Sequence, residues 1–267
     1  MKKNLVFIAF SLFVCVVLGS CVSSTTAAGA VNADRKQLMI FSEEEMNEGA
    51  NESYAQIIEE SKKSGTLNTD KNTYNRVNTI AKRLIEQVPS FRTDALNWDW
   101  QVNVIKEDTV NAWCMPGGKI VVYTGIIETL SLTDAQLAAV MGHEIAHALR
   151  EHSREQASKE ALKNLGIQAI GKFANLSDTS LSIVAMASQY AVTLPFSRAN
   201  ETEADHIGTE LMARAGYDPY EAVNVWKKMS QLSGDAVPAL MSTHPSHENR
   251  IKDLTVIAEK VYPLYKK

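Results

Sequence analysis

"GHEIAHALREH", residues 142–152, places three histidines in eleven residues. His143 and His147 flank Glu144 in the spacing H-E-x-x-H. Residues four apart share one face of an α-helix, so both imidazoles can point at one ion. Glu144 then sits beside that ion without binding it, where a carboxylate can take a proton from an attacking water. No Gly or Pro interrupts 143–152, and Thr133 with Gln136 makes a capping-box start, so helix is expected throughout the stretch. On such a helix His152, five residues past His147, is turned by about 140°. It is expected to point away from the ion and face solvent near the helix end.

A zinc site needs at least three protein ligands. Arg150 and Ser153 stand where an extended motif would carry Gly and a third His, so the third ligand must come from elsewhere. The candidates are Glu151, Glu155, Glu160, Glu201, Glu203 and Glu210. The first two lie too close in sequence to fold back readily, and Glu160 and Glu210 have no distinguishing context. In "SRANETEAD", residues 197–205, Glu201 and Asp205 are four apart, with Ala204 and Gly208 leaving room for close helix packing. One carboxylate of such a pair can ligate while the other orients a histidine ligand. A solvated acidic face has the same spacing.

Around this centre the chain of 267 residues has an ordinary globular balance, 45% hydrophobic and 22% charged. With a net charge of -4 and no basic block, nucleic acid is not an expected partner. Residues 1–20 read as a lipoprotein signal peptide: Lys2 and Lys3, an apolar run over 5–18, then "LGSC" ending at Cys21. Cys21 is expected to carry lipid, and 21–40 to be a flexible tether to a domain over 41–267. That leaves Cys114 as a buried small hydrophobe without a disulfide partner.

Ser42 with Glu45 starts one scaffold helix that ends at Gly65. Val77, Ile80, Ala81, Leu84, Ile85 and Val88 recur at helical spacing until Pro89. Trp98, Trp100, Val102 and Val104 alternate as in a strand, and Pro116-Gly117-Gly118 turns a hairpin. From Leu130 onward the pattern is helical, with Pro219 and Pro245 opening late helices and "LSIVAMASQYAVTL", residues 181–194, suiting a buried helix. The expected class is mainly α with a small β-sheet.

Four stretches in order, "NAWCMPGGKIVVYTGI", "GHEIAHALREH", "SRANETEAD" and "THPSHENRI", resemble gluzincin metallopeptidases of the HtpX and CAAX prenyl protease type. The resemblance covers about residues 40–257 and is greatest to periplasmic or lipoprotein members such as BepA and LoiP. It implies a zincin-like fold and one zinc ion held by His143, His147 and Glu201, with Glu144 as the base. It implies that Asp205 supports a histidine ligand and that Glu203 is a variable, solvent-facing position. Asn111, Ala112, Gly117 and Gly118 then lie on a hairpin bordering the cleft, whose strand edge can take up substrate. His244 either donates to the developing oxyanion, caps zinc as a fourth ligand, or is structural. Arg250 pairs with a nearby carboxylate, and His206 and His247 lie on the surface. The implied activity is endopeptidase action on polypeptides in cell-envelope quality control. Its implied place is a bacterial envelope, anchored by lipid to the outer membrane and facing the periplasm. A zinc-stabilised chaperone or assembly factor with a dormant site is the alternative.

Overall fold

A computed structural model describes residues 22–169, 195–232, 239–244 and 249–265. Residues 1–20, read above as a signal peptide, Cys21, the apolar run 181–194, Pro245 and His247 lie outside the described residues.

The chain enters along the domain rather than as a loose tether. Strand β1 (Val22–Ser23) pairs antiparallel with β2 (Gln37–Leu38). Between them the amides of Ala30 and Val31 donate to Glu210 at 2.7 and 3.1 Å, and Arg150 donates to Ser24 and Thr26. Buried donors and acceptors from three later elements hold the segment down, and small polar composition gave no hint of that.

Helix α1 (Glu43–Lys63) starts at the expected capping box of Ser42 and Glu45, and Ser64 and Gly65 end it. Helix α2 (Lys71–Ile85) buries Val77, Ile80, Ala81 and Leu84, the stripe its spacing predicts. The sheet consists of β3 (Gln101–Ile105), β4 (Ala112–Met115) and β5 (Lys119–Tyr123). Trp98 and Trp100 precede β3 and pack together on the core with ring centroids 5.4 Å apart. The predicted hairpin is β4–β5, but β5 also pairs in parallel with β3, giving the order β3-β5-β4. Strand β4 is therefore an edge of the sheet, as is β3 on the other side.

A short helix, α3 (Thr124–Thr129), leads to α4 (Asp134–Leu149), capped by Thr133 and Gln136 as expected. Helix α4 is the centre of the molecule: from Gln136 to Leu149 every side chain is buried. It does not run on to residue 152. Arg150 caps it, Glu151 takes a left-handed φ of 48°, and α5 (His152–Ala169) begins in a new direction. The turn is held by the buried Glu151 carboxylate, which pairs with Arg92 and Arg154. Helix α6 (Arg198–Arg214) crosses α4, followed by α7 (Tyr220–Ser230), α8 (Ala239–Thr243) and α9 (Arg250–Tyr265). Pro219 caps α7. The fold is mainly helical with small sheets, and no described helix is long and apolar enough to cross a membrane.

Candidate metal centre

Helices α4 and α6 meet almost backbone to backbone. A Cβ on Gly208 would stand 2.7 Å from the His143 nitrogen, and one on Gly142 would stand 2.9 Å from the Gly208 oxygen. Gly208 and Ala204 thus admit the close crossing that their size suggested, and the crossing sets Glu201 opposite the two histidines of α4. His244, just after α8, closes the fourth side.

One ligand atom from each of His143, His147, Glu201 and His244 lies within 4.8 Å of the others. His147 Nε2 is 3.1 Å from His143 Nε2, which is 3.2 Å from His244 Nδ1. His244 Nδ1 is 3.0 Å from Glu201 Oε1. Donors around a tetrahedral zinc with bonds of about 2.0–2.1 Å stand about 3.3 Å apart. A donor set of three imidazoles and a carboxylate at this spacing fits one zinc ion. All four side chains are buried.

The supports are also in place. Asp205 Oδ1 lies 2.9 Å from His143 Nδ1. Arg250 grips Asp205 at 2.7 and 2.8 Å, reaches Glu201 at 3.0 Å, and lies 3.3 Å above the Trp226 ring. The expected pairing of Arg250 with a carboxylate is thus two pairings. Burial alone would depress His143, but the Asp205 and Glu201 carboxylates raise it to about 9, so the pocket favours positive charge. Burial opposes ionisation of Glu201, yet His244 and contacts with His143 and His147 hold it well below the usual carboxylate range. Burial pushes His147 well down.

Glu144 is buried beside the cluster, and its Oε1 has no hydrogen-bond partner. Burial lifts its carboxyl above the ordinary value, with His244 and His143 opposing. Oε1 is 3.5 Å from His244 Nε2, so His244 stands between the base and the ligand set. A small, mostly apolar pocket borders His143 and Glu144, lined by Val140, Val225, Trp226, Met229 and Leu240.

Two expectations change. His152 is not solvent-facing: the turn at Glu151 brings its Nδ1 to 2.9 Å from His147 Nδ1, fully buried. Glu203 is not a free surface acid, because it contacts His152, Arg150 and Arg35. Helical geometry misplaced His152 because nothing in "LREHS" marks a left-handed residue, and the surface place that the resemblance implied for Glu203 fails because His152 turns in to meet it. Glu210, without context in the sequence, is buried and anchors the N-terminal segment. His206 is half-buried against Asp253 at 2.8 Å. Asn111 and Ala112 are buried at the start of β4. Gly117 and Gly118 have φ of 74° and 85°, and their turn packs on Asn47 and Trp100. Cys114 is free and buried, its thiol pushed up by burial and by Glu144.

The model of peptidase family M48 matches residues 71–258. The chain is 43% identical over 153 residues to the mitochondrial metalloendopeptidase OMA1 of Arabidopsis thaliana, covering 57% of this chain and 30% of that protein. It is 32% identical over 235 residues to the mitochondrial metalloendopeptidase OMA1 of Bos taurus, covering 82% and 44%. It is 26% identical over 198 residues to the beta-barrel assembly-enhancing protease of Escherichia coli O157:H7, covering 70% and 39%. The chain spans under half the length of each. The expected lipid-anchored place in a bacterial outer membrane is overturned, since relatives from plant, yeasts and vertebrates are named as mitochondrial.

Proposed function

The chain belongs to peptidase family M48 and is of the zinc metalloendopeptidase class; from that premise we propose that it hydrolyses internal peptide bonds with His143, His147 and Glu201 as ligands and Glu144 as general base. The convergence of these donors beside a buried, unpartnered Glu144 oxygen carries the reading.

Zinc held by the three side chains would supply Lewis acidity, polarising the scissile carbonyl and making water at the site more acidic. Glu144 takes the proton of the attacking water and passes it to the leaving amine. Its raised pKa suits a group that must hold a proton between those steps. His244 Nε2, on the Glu144 side, donates to the oxyanion as it develops. An extended peptide can add to the β4 edge. Unfolded or misassembled polypeptides are the proposed substrates; one relative's name, a beta-barrel assembly-enhancing protease, supports a quality-control role.

A second reading has an observation of its own. His244 Nδ1 is close enough to Glu201 and His143 to complete a closed four-ligand site, and the whole centre is buried. In that resting state the protein binds polypeptide and stays inert. Casein cleavage by wild type and His244→Ala separates the two. The open reading predicts zinc-dependent cleavage by wild type, slowed by about 10²- to 10³-fold in the variant. A silent wild type and an active variant would establish the capped site. No cleavage by either, with zinc bound, would sink the proposed activity.

A further inference from the structure

His147 turns Nε2 to the metal cluster, which leaves the question of what holds Nδ1. That atom meets His152 Nδ1 at 2.9 Å, and His152 Nε2 meets Glu203 Oε2 at 3.1 Å. Glu203 in turn receives Arg35 Nε and Nη2 at 2.8 and 2.9 Å and Arg150 Nη2 at 3.2 Å. With His152 neutral, the hydrogen bonds run in one direction. The Glu203 carboxylate accepts, so His152 must carry its proton on Nε2. A neutral His152 then accepts on Nδ1, so His147 must carry its proton on Nδ1. His147 Nε2 is left with its lone pair free, the form a metal ligand requires. The ring is steadied by Phe196, stacked on it with centroids 4.1 Å apart.

We infer that His152 and Glu203 are positioning residues for His147, and that Arg35, through Glu203, makes the N-terminal segment part of the metal site's support. The inference rests on the zinc site proposed above. It gives His147 a carboxylate-backed support matching the one Asp205 gives His143. It also explains why residues 22–40 are tied down so firmly. Arg35 is a usable handle, because the segment is anchored separately by Glu210 and by Gln37, which donates to the Arg150 carbonyl at 2.7 Å; Arg35 also pairs with Glu155, so its variant is read by zinc affinity and ligand field rather than by stability. Its side chain is 39% exposed, so replacing it leaves no cavity.

The test uses the full chain, with zinc affinity read by chelator competition and the ligand field read from the visible spectrum of the cobalt(II)-substituted protein. His152→Leu should weaken zinc binding by about 10- to 100-fold and shift the cobalt bands. His152→Asn, whose Oδ1 can take the place of Nδ1, should restore affinity to within a few-fold of wild type. Arg35→Gln should weaken binding several-fold and shift the cobalt bands, while its lost pairing with Glu155 lowers the thermal midpoint of the metal-free protein without unfolding it at the assay temperature. A folded His152→Leu with wild-type affinity and spectrum would overturn the inference. Should that variant not fold, unchanged affinity in Arg35→Gln would overturn it instead. A wild type that binds no zinc would remove the site itself, whereas a zinc-binding wild type with indifferent variants would remove only this extension.

Discussion

His143 is held from behind by Asp205, and Asp205 is held by Arg250, so two side chains on two other helices fix one imidazole. Such outer contacts set ligand orientation and basicity. Asp205→Asn should therefore cost about 10- to 100-fold in zinc affinity while leaving the ligand atoms intact. Competition with a chelator measures it, and wild-type affinity would show that Asp205 only packs. Glu201→Ala should lower the zinc content of the purified protein from one per chain to near none; zinc retained at one per chain would remove Glu201 from the ligand set. At this scale most of the centre is legible in the sequence. H-E-x-x-H gives two ligands and a base through helical spacing, and the Glu201–Asp205 interval proposes its partner. His152 and Glu203 were not legible, because their roles depend on Glu151 adopting φ of 48°, a conformation side chains usually avoid and no residue type there announces.

The α4–α6 crossing is the element that brings the two halves of the site together. It depends on Gly142 and Gly208 having no Cβ, and Gly208→Ala would put a methyl group against the His143 backbone. Forcing the helices apart should destabilise the fold by about 1–3 kcal/mol. It should also weaken zinc binding, since His143 and Glu201 separate together. Thermal unfolding with and without zinc measures both, and an unchanged midpoint in the two conditions would contradict the close-contact account. Helices were legible where caps and stripes agree, as at Ser42–Glu45, Thr133–Gln136 and the Val77–Leu84 face. The sheet was legible only locally. A hairpin follows from Pro116-Gly117-Gly118, but pairing of β3 in parallel with β5 joins segments that only the tertiary fold brings together.

Across the whole molecule the N-terminal segment is a structural member. Glu155 is its main acidic anchor, bonded to Arg35, Gln37, Lys159 and Asn200. Burial alone would raise its carboxyl, but the Arg35 and Lys159 contacts depress it far below its ordinary 4.5. A depressed carboxyl stabilises the fold above its unfolded-state value, and that contribution is lost as pH falls below about 4.5 toward the folded value. Thermal stability should decline through this acid range, and Glu155→Gln should flatten part of the decline while lowering stability at pH 7. An unaltered acid slope in the variant would show that other carboxylates carry it.

The central claim is that zinc and Glu144 together cleave peptide bonds. Side-by-side casein hydrolysis by zinc-loaded wild type and Glu144→Gln tests it most directly, with the His244→Ala background used in both only where the wild type is silent. The account predicts one zinc per chain in each protein and cleavage reduced by about 10²- to 10⁴-fold in the Glu144→Gln protein. Cleavage at an equal rate in the two would contradict it.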